Sequence, residues 1–236
     1  MTAYALYVES GPRHRKTMVH VLGLLGCIAQ GPTTDEALAA TPEAIRGFLR
    51  FLKRHGDAVD PKSPFTTKVA AHVTEGSWIG EGDPVAGFAP DFEPLGAAEL
   101  KRYVERLGWV REDLLRLVGD LPPRQLSAQP HGGGRPIQSI LEHISEAQCV
   151  YQRYAAGKVE GLAEAARSVR ESQPDLPSAL ARVWEISGAR WAAMTEIERN
   201  QQVEHGQRMW TARRGLRRAL EHDWEHLQEL SRRLER

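Results

Sequence analysis

The spacing of the apolar residues changes at Ala97, and this change limits the folds available to the chain. From Ala97 onward, apolar side chains recur every three or four residues, as on one face of an amphipathic helix. Loops rich in Pro, Gly or polar residues divide this part into four helical segments. Their apolar stripes are Leu100, Tyr103, Val104, Leu107, Leu114, Leu117, Val118 and Leu121; Ile137, Ile140, Leu141, Ile144, Ala147 and Tyr151; Leu180, Val183, Trp184, Ser187, Trp191 and Met194; and Leu216, Leu220, Leu227, Leu230 and Leu234. The pattern predicts a four-helix bundle with one long crossover between Gly157 and Pro177.

The N-terminal part has a different pattern, typical of a small mixed module. Residues 4–8, 17–29 and 67–73 are strand-like runs. Before the third run, Thr33 and Glu36 have the spacing of a capping box, and the helix they begin is predicted to end near Lys53. Pro42 lies inside this helix, so we expect a kink or a break near it. The order strand, strand, helix, strand predicts a ββαβ module, and the whole chain is therefore assigned to the α+β class.

Composition separates the two parts. Residues 76–96 are rich in Gly, Pro and Asp, which favours a linker. The predicted domains are therefore 1–75 and 97–236. Trp78, Phe88 and Phe92 lie in the linker, so we expect it to pack against other residues.

The charge and the cysteine content argue against some binding partners and indicate the cellular compartment. The formal net charge is zero and the pI is near 7.1, which argues against direct binding to nucleic acid or to an acidic membrane surface. The two cysteines are far apart, as expected in a reducing compartment without a disulfide framework. We find no signal peptide and no apolar run near the roughly 20 residues needed to span a bilayer. These features predict a cytoplasmic protein.

Three histidines have the spacing expected of metal ligands. His222 and His226 are four residues apart on the last helix, and His143 lies on the second bundle helix. On a helical wheel all three lie beside the apolar stripes, so we expect them at the mouth of a groove open to substrate. Three neutral imidazoles suit Zn²⁺, Ni²⁺, Fe²⁺ or Cu²⁺, and they leave a coordination position for water or substrate. The alternative is two partly exposed helix histidines flanked by acids, with His143 as a polar edge residue.

A resemblance supports the metal interpretation. Trp210-Thr211, the run from Leu220 to His226, and Leu141-Glu142-His143-Ile144 resemble the DinB superfamily over residues from about 95 to 236. This resemblance implies a four-helix bundle whose histidines, here His143, His222 and His226, bind a divalent metal, with Zn or Ni favoured. Many members have Gly-Gln after the last histidine, where this chain has Leu227-Gln228. Members of known activity are thiol-dependent transferases and isomerases, so the resemblance also implies a low-molecular-weight thiol as a cofactor.

The N-terminal module has a resemblance of its own. The run from Leu25 to Leu38, with Gly26-Cys27, Gly31, Thr34 and Glu36-Ala37, resembles the HicB antitoxin family over about 70 residues. The resemblance implies a dimerisation or interaction module and a small protein partner. The sequence lacks the DNA-binding segment that such antitoxins often add.

Other residues have weaker candidate roles. Arg218, one turn before His222, is a candidate to bind the carboxylate of a thiol cofactor or substrate, although a solvated arginine is the alternative. Glu146 and Glu229, one turn beyond His143 and His226, are candidates to orient an imidazole. Trp184, Trp191 and Met194 are predicted core residues. Neither Cys27 nor Cys149 is expected to act as a nucleophile, and the sequence assigns no catalytic residue.

Two hypotheses of function follow. The first is a metal-dependent transferase or hydrolase that acts on a small electrophile, with the HicB-like part as an interaction module. The second is a non-catalytic regulatory protein of the toxin–antitoxin type. Under either hypothesis we expect a homodimer.

Overall fold

The structure is a computed structural model that describes residues 1–11, 16–76, 79–80, 86–171, 175–206 and 208–234. The chain divides into two compact units. The first comprises Met1–Glu93 with Glu204–Met209, and the second comprises Pro94–Val203 with Trp210–Arg236. The domains predicted from composition, residues 1–75 and 97–236, stay a prediction.

A four-stranded sheet forms the first unit. Its strands are β1 (Thr2–Glu9), β2 (Thr17–His20), β3 (Ile28–Gly31) and β4 (Phe65–Val73), in the spatial order β3-β2-β1-β4. The pairs β1–β2 and β2–β3 are antiparallel, whereas β4 is parallel to β1. Strand β4 therefore lies at an edge of the described sheet, and its residues 66–70 are exposed on both faces.

The predicted strand over 17–29 is wrong in detail. A 3-10 turn at Leu22–Leu24 divides it into β2 and β3, so the described order is three strands, a helix and a strand. Gly26 has a φ of 101°, a conformation that glycine adopts without the strain imposed by a side chain. The apolar residues around the turn, Leu22, Leu24 and Leu25, are all buried, which is why the run resembles a single strand.

Helix α1 (Thr34–Arg54) begins with the predicted capping box. The amide of Glu36 donates to Oγ1 of Thr33 at 3.2 Å, and the amide of Thr33 donates to Oε2 of Glu36 at 3.1 Å. Of the kink or break predicted near Ala40-Thr41, the break is wrong, because α1 continues through Pro42. Pro42 is exposed, so water can reach the backbone near the hydrogen bond that proline removes.

The segment after β4 packs within the first unit. The ring of Phe88 lies 5.2 Å from that of Tyr7 and 5.4 Å from that of His20, and Phe88 is buried with Leu22 and Ala86. A 3-10 turn follows at Ala89–Phe92. The expected packing of the linker is therefore confirmed for Phe88, whereas Trp78 lies outside the described residues.

A helical bundle forms the second unit. Its long helices are α2 (Ala97–Val118), α4 (Ile137–Ala156), α6 (Leu176–Ala192) and α8 (Ala212–Leu234), separated by the short helices α3 (Pro123–Ser127), α5 (Leu162–Glu171) and α7 (Glu196–Asn200). Helix α8 packs on α2 and α4, while α6 packs on α2 and α4. The crossover between α4 and α6 contains α5, which contacts both. The sheet followed by helices confirms the α+β class.

The bundle core contains the two tryptophans and the methionine that the sequence placed there. Trp184, Trp191 and Met194 are all buried. Helix α8 approaches its neighbours closely at Gly215, where a Cβ would lie 2.7 Å from Cβ of Ala155 and 2.9 Å from the Trp191 ring.

The polar stretch before α8 is more structured than the sequence indicated. It contains the short strands β5 (Val203–His205) and β6 (Arg208–Trp210), which pair with each other. Among the described residues, no helix is both long and apolar enough to cross a membrane.

Candidate metal centre

The packing of α4 against α8 brings the three predicted histidines together. His222 and His226 lie one turn apart on α8, and His143 lies on the adjacent α4. One ligand nitrogen from each histidine lies within 4.8 Å of the other two. The ring centroids are 4.6 Å apart for His222–His226, 4.8 Å for His143–His222 and 5.4 Å for His143–His226.

One pair of these nitrogens has nearly the spacing of two ligands on a shared ion. Nε2 of His222 and Nε2 of His143 are 3.0 Å apart. Two nitrogens bound to one tetrahedral zinc at about 2.0–2.1 Å would lie roughly 3.3 Å apart, so a shift of a few tenths of an ångström would fit this pair to an ion. The donor set, three imidazoles without a thiolate, suits a borderline transition metal.

The three side chains are more buried than the helical wheel predicted. His222 and His226 are 7% and 5% exposed, and His143 is half-buried. The prediction of an open groove mouth is therefore wrong for the two histidines of α8. The reason is that α8 buries far more than its leucine stripe, including the charged residues Arg217 and Glu221.

Burial keeps the imidazoles of His143 and His222 neutral. It lowers the pKa of His143 to about 4, and the neighbouring His222 and Arg135 act in the same direction. Burial also lowers the pKa of His222. Since only neutral imidazole can bind a metal, these two side chains are ready to act as ligands at neutral pH.

Glu229 orients His226, as one of the two sequence candidates predicted. Nδ1 of His226 lies 2.9 Å from Oε2 of Glu229, and this hydrogen bond lowers the pKa of the Glu229 carboxyl. An ionised carboxylate can only accept, so Nδ1 of His226 donates the proton of this hydrogen bond, and Nε2 is the ring nitrogen left to face a metal. Glu146, the other candidate, is exposed and pairs with Arg170 instead.

A buried polar network lies next to His222, and the sequence analysis missed it. Nε of Arg111 donates to Oδ2 of Asp223 at 3.1 Å, and Nη2 of Arg111 donates to Oε1 of Gln148 at 2.7 Å. Nε2 of Gln148 donates to Oδ1 of Asp223 at 2.8 Å, and Ser187 completes the group. The network joins α2, α4, α6 and α8, and its side chains are all buried.

One carboxylate of this network, Asp223, lies near the Nδ1 nitrogen of His222. Oδ1 of Asp223 lies 4.0 Å from Nδ1 of His222, which is too long for a hydrogen bond. Within the described part of the chain, Nδ1 of His222 has no hydrogen-bond partner although it is buried. A small rotation of the imidazole towards Asp223 would give Nδ1 an acceptor.

Arg218 is buried rather than solvated. It is 5% exposed, and its Nη1 donates to Oε2 of Glu221 at 2.9 Å. Its guanidinium lies 5.8 Å from the ring centroid of Tyr151, and the Tyr151 ring lies 5.8 Å from that of His222. Arg218 is therefore close to the histidines, while its binding of a cofactor stays a prediction.

Neither cysteine belongs to the histidine cluster. Cys27 is buried in the first unit, and Cys149 is half-buried, with Sγ 3.7 Å from the carbonyl oxygen of Ser145. Burial raises the pKa of the Cys149 thiol, which disfavours the thiolate needed for nucleophilic attack.

Comparison with protein families matches residues 106–230 to the DinB superfamily. The matched segment covers more than half of the chain and contains His143, His222 and His226. Searches of curated proteins and of solved structures each found no match. The HicB resemblance lies outside the matched segment and stays a prediction. The family match and the bundle agree, and the chain belongs to the DinB superfamily.

Proposed function

We propose that His143, His222 and His226 bind one divalent transition metal, with zinc or nickel favoured, and that the protein is a metal-dependent enzyme. The observation that carries this proposal is the convergence of three imidazole nitrogens, from two helices, within 4.8 Å. An ion held by three protein ligands keeps a position for an exchangeable ligand. The substrate class is a small electrophile, attacked by a low-molecular-weight thiol or by water.

The side chains around the histidines have supporting roles in this proposal. A bound ion would supply Lewis acidity and lower the pKa of a coordinated nucleophile. Glu229 holds the tautomer of His226, and the burial of His222 limits access of bulk water. Tyr151, whose pKa burial raises, stays protonated at neutral pH, and its ring lies 5.8 Å from that of His222.

The N-terminal unit is proposed as a homodimerisation module, with a small protein partner as its second HicB-like role. Support comes from β4, which has nine residues, lies at the edge of the described sheet and is exposed along most of its length. An open strand edge pairs readily with another strand, and two copies can pair by the same edge about a two-fold axis.

Metal analysis tests the enzyme proposal. The purified chain is expected to contain about one equivalent of metal by elemental mass spectrometry, and His222→Ala is expected to lose most of it. His131→Ala is the matched control, since His131 is an exposed histidine of the same unit. Thermal unfolding of each variant separates loss of metal from loss of fold.

Activity is then assayed by loss of a thiol in the presence of a chlorodinitrobenzene electrophile, with and without metal. Metal-free protein that copurifies with a small basic protein would contradict the enzyme proposal and favour the regulatory alternative.

A further inference from the structure

A cavity of about 570 Å³ lies where α8 ends and α4 begins. Its apolar wall includes Ala128, Pro130, Ile137 and Leu234, and its polar wall includes Arg135 and Arg233. A volume of this size suits a small organic ligand. The mixed wall favours a ligand with an apolar body and one anionic end.

The cavity lies close to the histidine cluster. On α4, Ile137 precedes His143 by six residues, which is about 9 Å of helix. On α8, Arg233 forms an ion pair with Glu229, which also accepts the hydrogen bond from His226. The cavity wall is therefore joined to His226 through two consecutive side-chain contacts.

The two arginines of the cavity differ in whether their guanidinium groups already have a partner in the protein. Arg233 is held in place, because it pairs with Glu229 and its Nη1 donates to the backbone oxygen of Arg135 at 2.7 Å. The side chain of Arg135 is exposed, and no side chain of the described residues forms a hydrogen bond or ion pair with its guanidinium. The backbone of Arg135 lies close to the cluster, because its oxygen accepts from Arg233, which pairs with Glu229.

We propose that this cavity binds a carboxylate substrate, whose apolar body contacts Ile137 and Leu234 and whose carboxylate accepts hydrogen bonds from Arg135. This inference rests on the proposed function, since it assigns the cavity as the substrate subsite beside the metal ligands. A planar guanidinium matches a carboxylate through two parallel hydrogen bonds. The proposal concerns Arg135, whereas the sequence suggested Arg218 for a similar role.

Calorimetry with matched probes tests the proposal. Phenylacetate is expected to bind the full-length protein, and phenylacetamide, which has the same body without the charge, is expected to bind at least roughly tenfold more weakly. Arg135→Gln should weaken phenylacetate binding by a similar factor. Arg102→Gln, at an exposed arginine of the same unit, should leave the binding unchanged.

A second variant tests the cavity rather than the charge. Gly132 lines the cavity, and a Cβ there would meet no atom within 4 Å, so Gly132→Leu adds a bulky side chain at the cavity wall from a Cβ that has room. This variant is expected to lose phenylacetate binding while it keeps its thermal unfolding midpoint. Equal binding of phenylacetate and phenylacetamide, or unchanged binding in Arg135→Gln, would overturn the proposal, as would tighter binding of phenyl phosphate.

The same samples distinguish this inference from the metal proposal. Measurements before and after metal removal by a chelator show whether the carboxylate is bound by Arg135 or by the ion. A full metal content without Arg135-dependent binding refutes the subsite and leaves the metal proposal intact. Arg135-dependent binding in a protein that takes up no metal refutes the metal proposal, and with it the assignment of the cavity as a substrate subsite.

Discussion

Nδ1 of His226 lies 2.9 Å from Oε2 of Glu229, whereas Glu146, in the corresponding position after His143, pairs with Arg170. This difference gives a matched pair of variants. Glu229→Ala should lower metal affinity by about 10–100-fold, because His226 loses the acceptor that fixes its tautomer. Glu146→Ala should leave the affinity unchanged. Competition with a chromogenic chelator measures both, and equal effects would contradict the role of Glu229.

The buried Arg111–Asp223 pair predicts a large loss of stability on truncation. Arg111→Met leaves Asp223 as an uncompensated buried charge, so the free energy of unfolding should fall by about 3–5 kcal/mol. Arg182→Met removes an exposed arginine that pairs with the exposed Glu185, and it should cost at most about 1 kcal/mol. Urea unfolding measures both. The double variant Arg111→Met/Asp223→Leu should be more stable than Arg111→Met, because it also removes the unpaired charge. A further fall in the free energy of unfolding would show that the buried charge of Asp223 is not what destabilises Arg111→Met.

Two helical glycines should respond to alanine in opposite directions. At Gly215 the added Cβ would meet Ala155 and Trp191 at under 3.0 Å, so Gly215→Ala should destabilise by about 1–3 kcal/mol. At Gly188, within α6, a Cβ would meet nothing within 4 Å, so Gly188→Ala should stabilise by about 0.5–1 kcal/mol. Thermal unfolding compares the two, and a Gly215→Ala variant as stable as the wild type would contradict the close approach of α8 to its neighbours.

Cys149 should react slowly with a disulfide reagent near neutral pH. Burial raises its pKa, so at about pH 8 less of the thiol is ionised than in the unfolded chain, and the rate should rise as the pH rises further. The release of thionitrobenzoate by native Cys27→Ser reports Cys149 alone. Cys149→Ser leaves only the fully buried Cys27 and should react still more slowly. Rapid reaction of native Cys27→Ser at about pH 7 would refute the prediction.

The exposed edge of β4 predicts how the proposed homodimer forms. Val69 on β4 is 42% exposed, and Val69→Lys places a charge on the pairing edge, which should shift the protein to a monomer. Val150→Lys is the control, because Val150 is 44% exposed on α4. Light scattering at micromolar concentration measures the mass. A monomeric wild-type protein would contradict the dimer, and a dimeric Val69→Lys variant would exclude β4 as its interface.

Local sequence patterns were enough for the long helices and for the pair of histidines on α8. Helical periodicity located α2, α4, α6 and α8, and the spacing of His222 and His226 placed them on one face of α8. The capping box at Thr33 located the start of α1. These signals depend on neighbours within one or two turns of the chain, so a sequence alone contains them.

Features that depend on tertiary packing were missed. Arg111, Gln148 and Asp223 are polar residues inside the bundle, and no local pattern shows that they would be buried together. Their network exists only because α2, α4 and α8 meet. The turn at Leu22–Leu24 was missed for a similar reason, since its buried leucines have the composition of a strand.

The assignment of residues 204–209 to the first unit has a practical consequence. The polypeptide passes from one unit to the other at three places, after Glu93, Val203 and Met209. A single cut after Glu93 would therefore remove from the N-terminal fragment a hairpin that belongs to it. An N-terminal fragment should therefore be made with residues 204–209 attached. Without them, an unstable fragment would show only that part of the first unit is missing, and not that the unit cannot fold by itself.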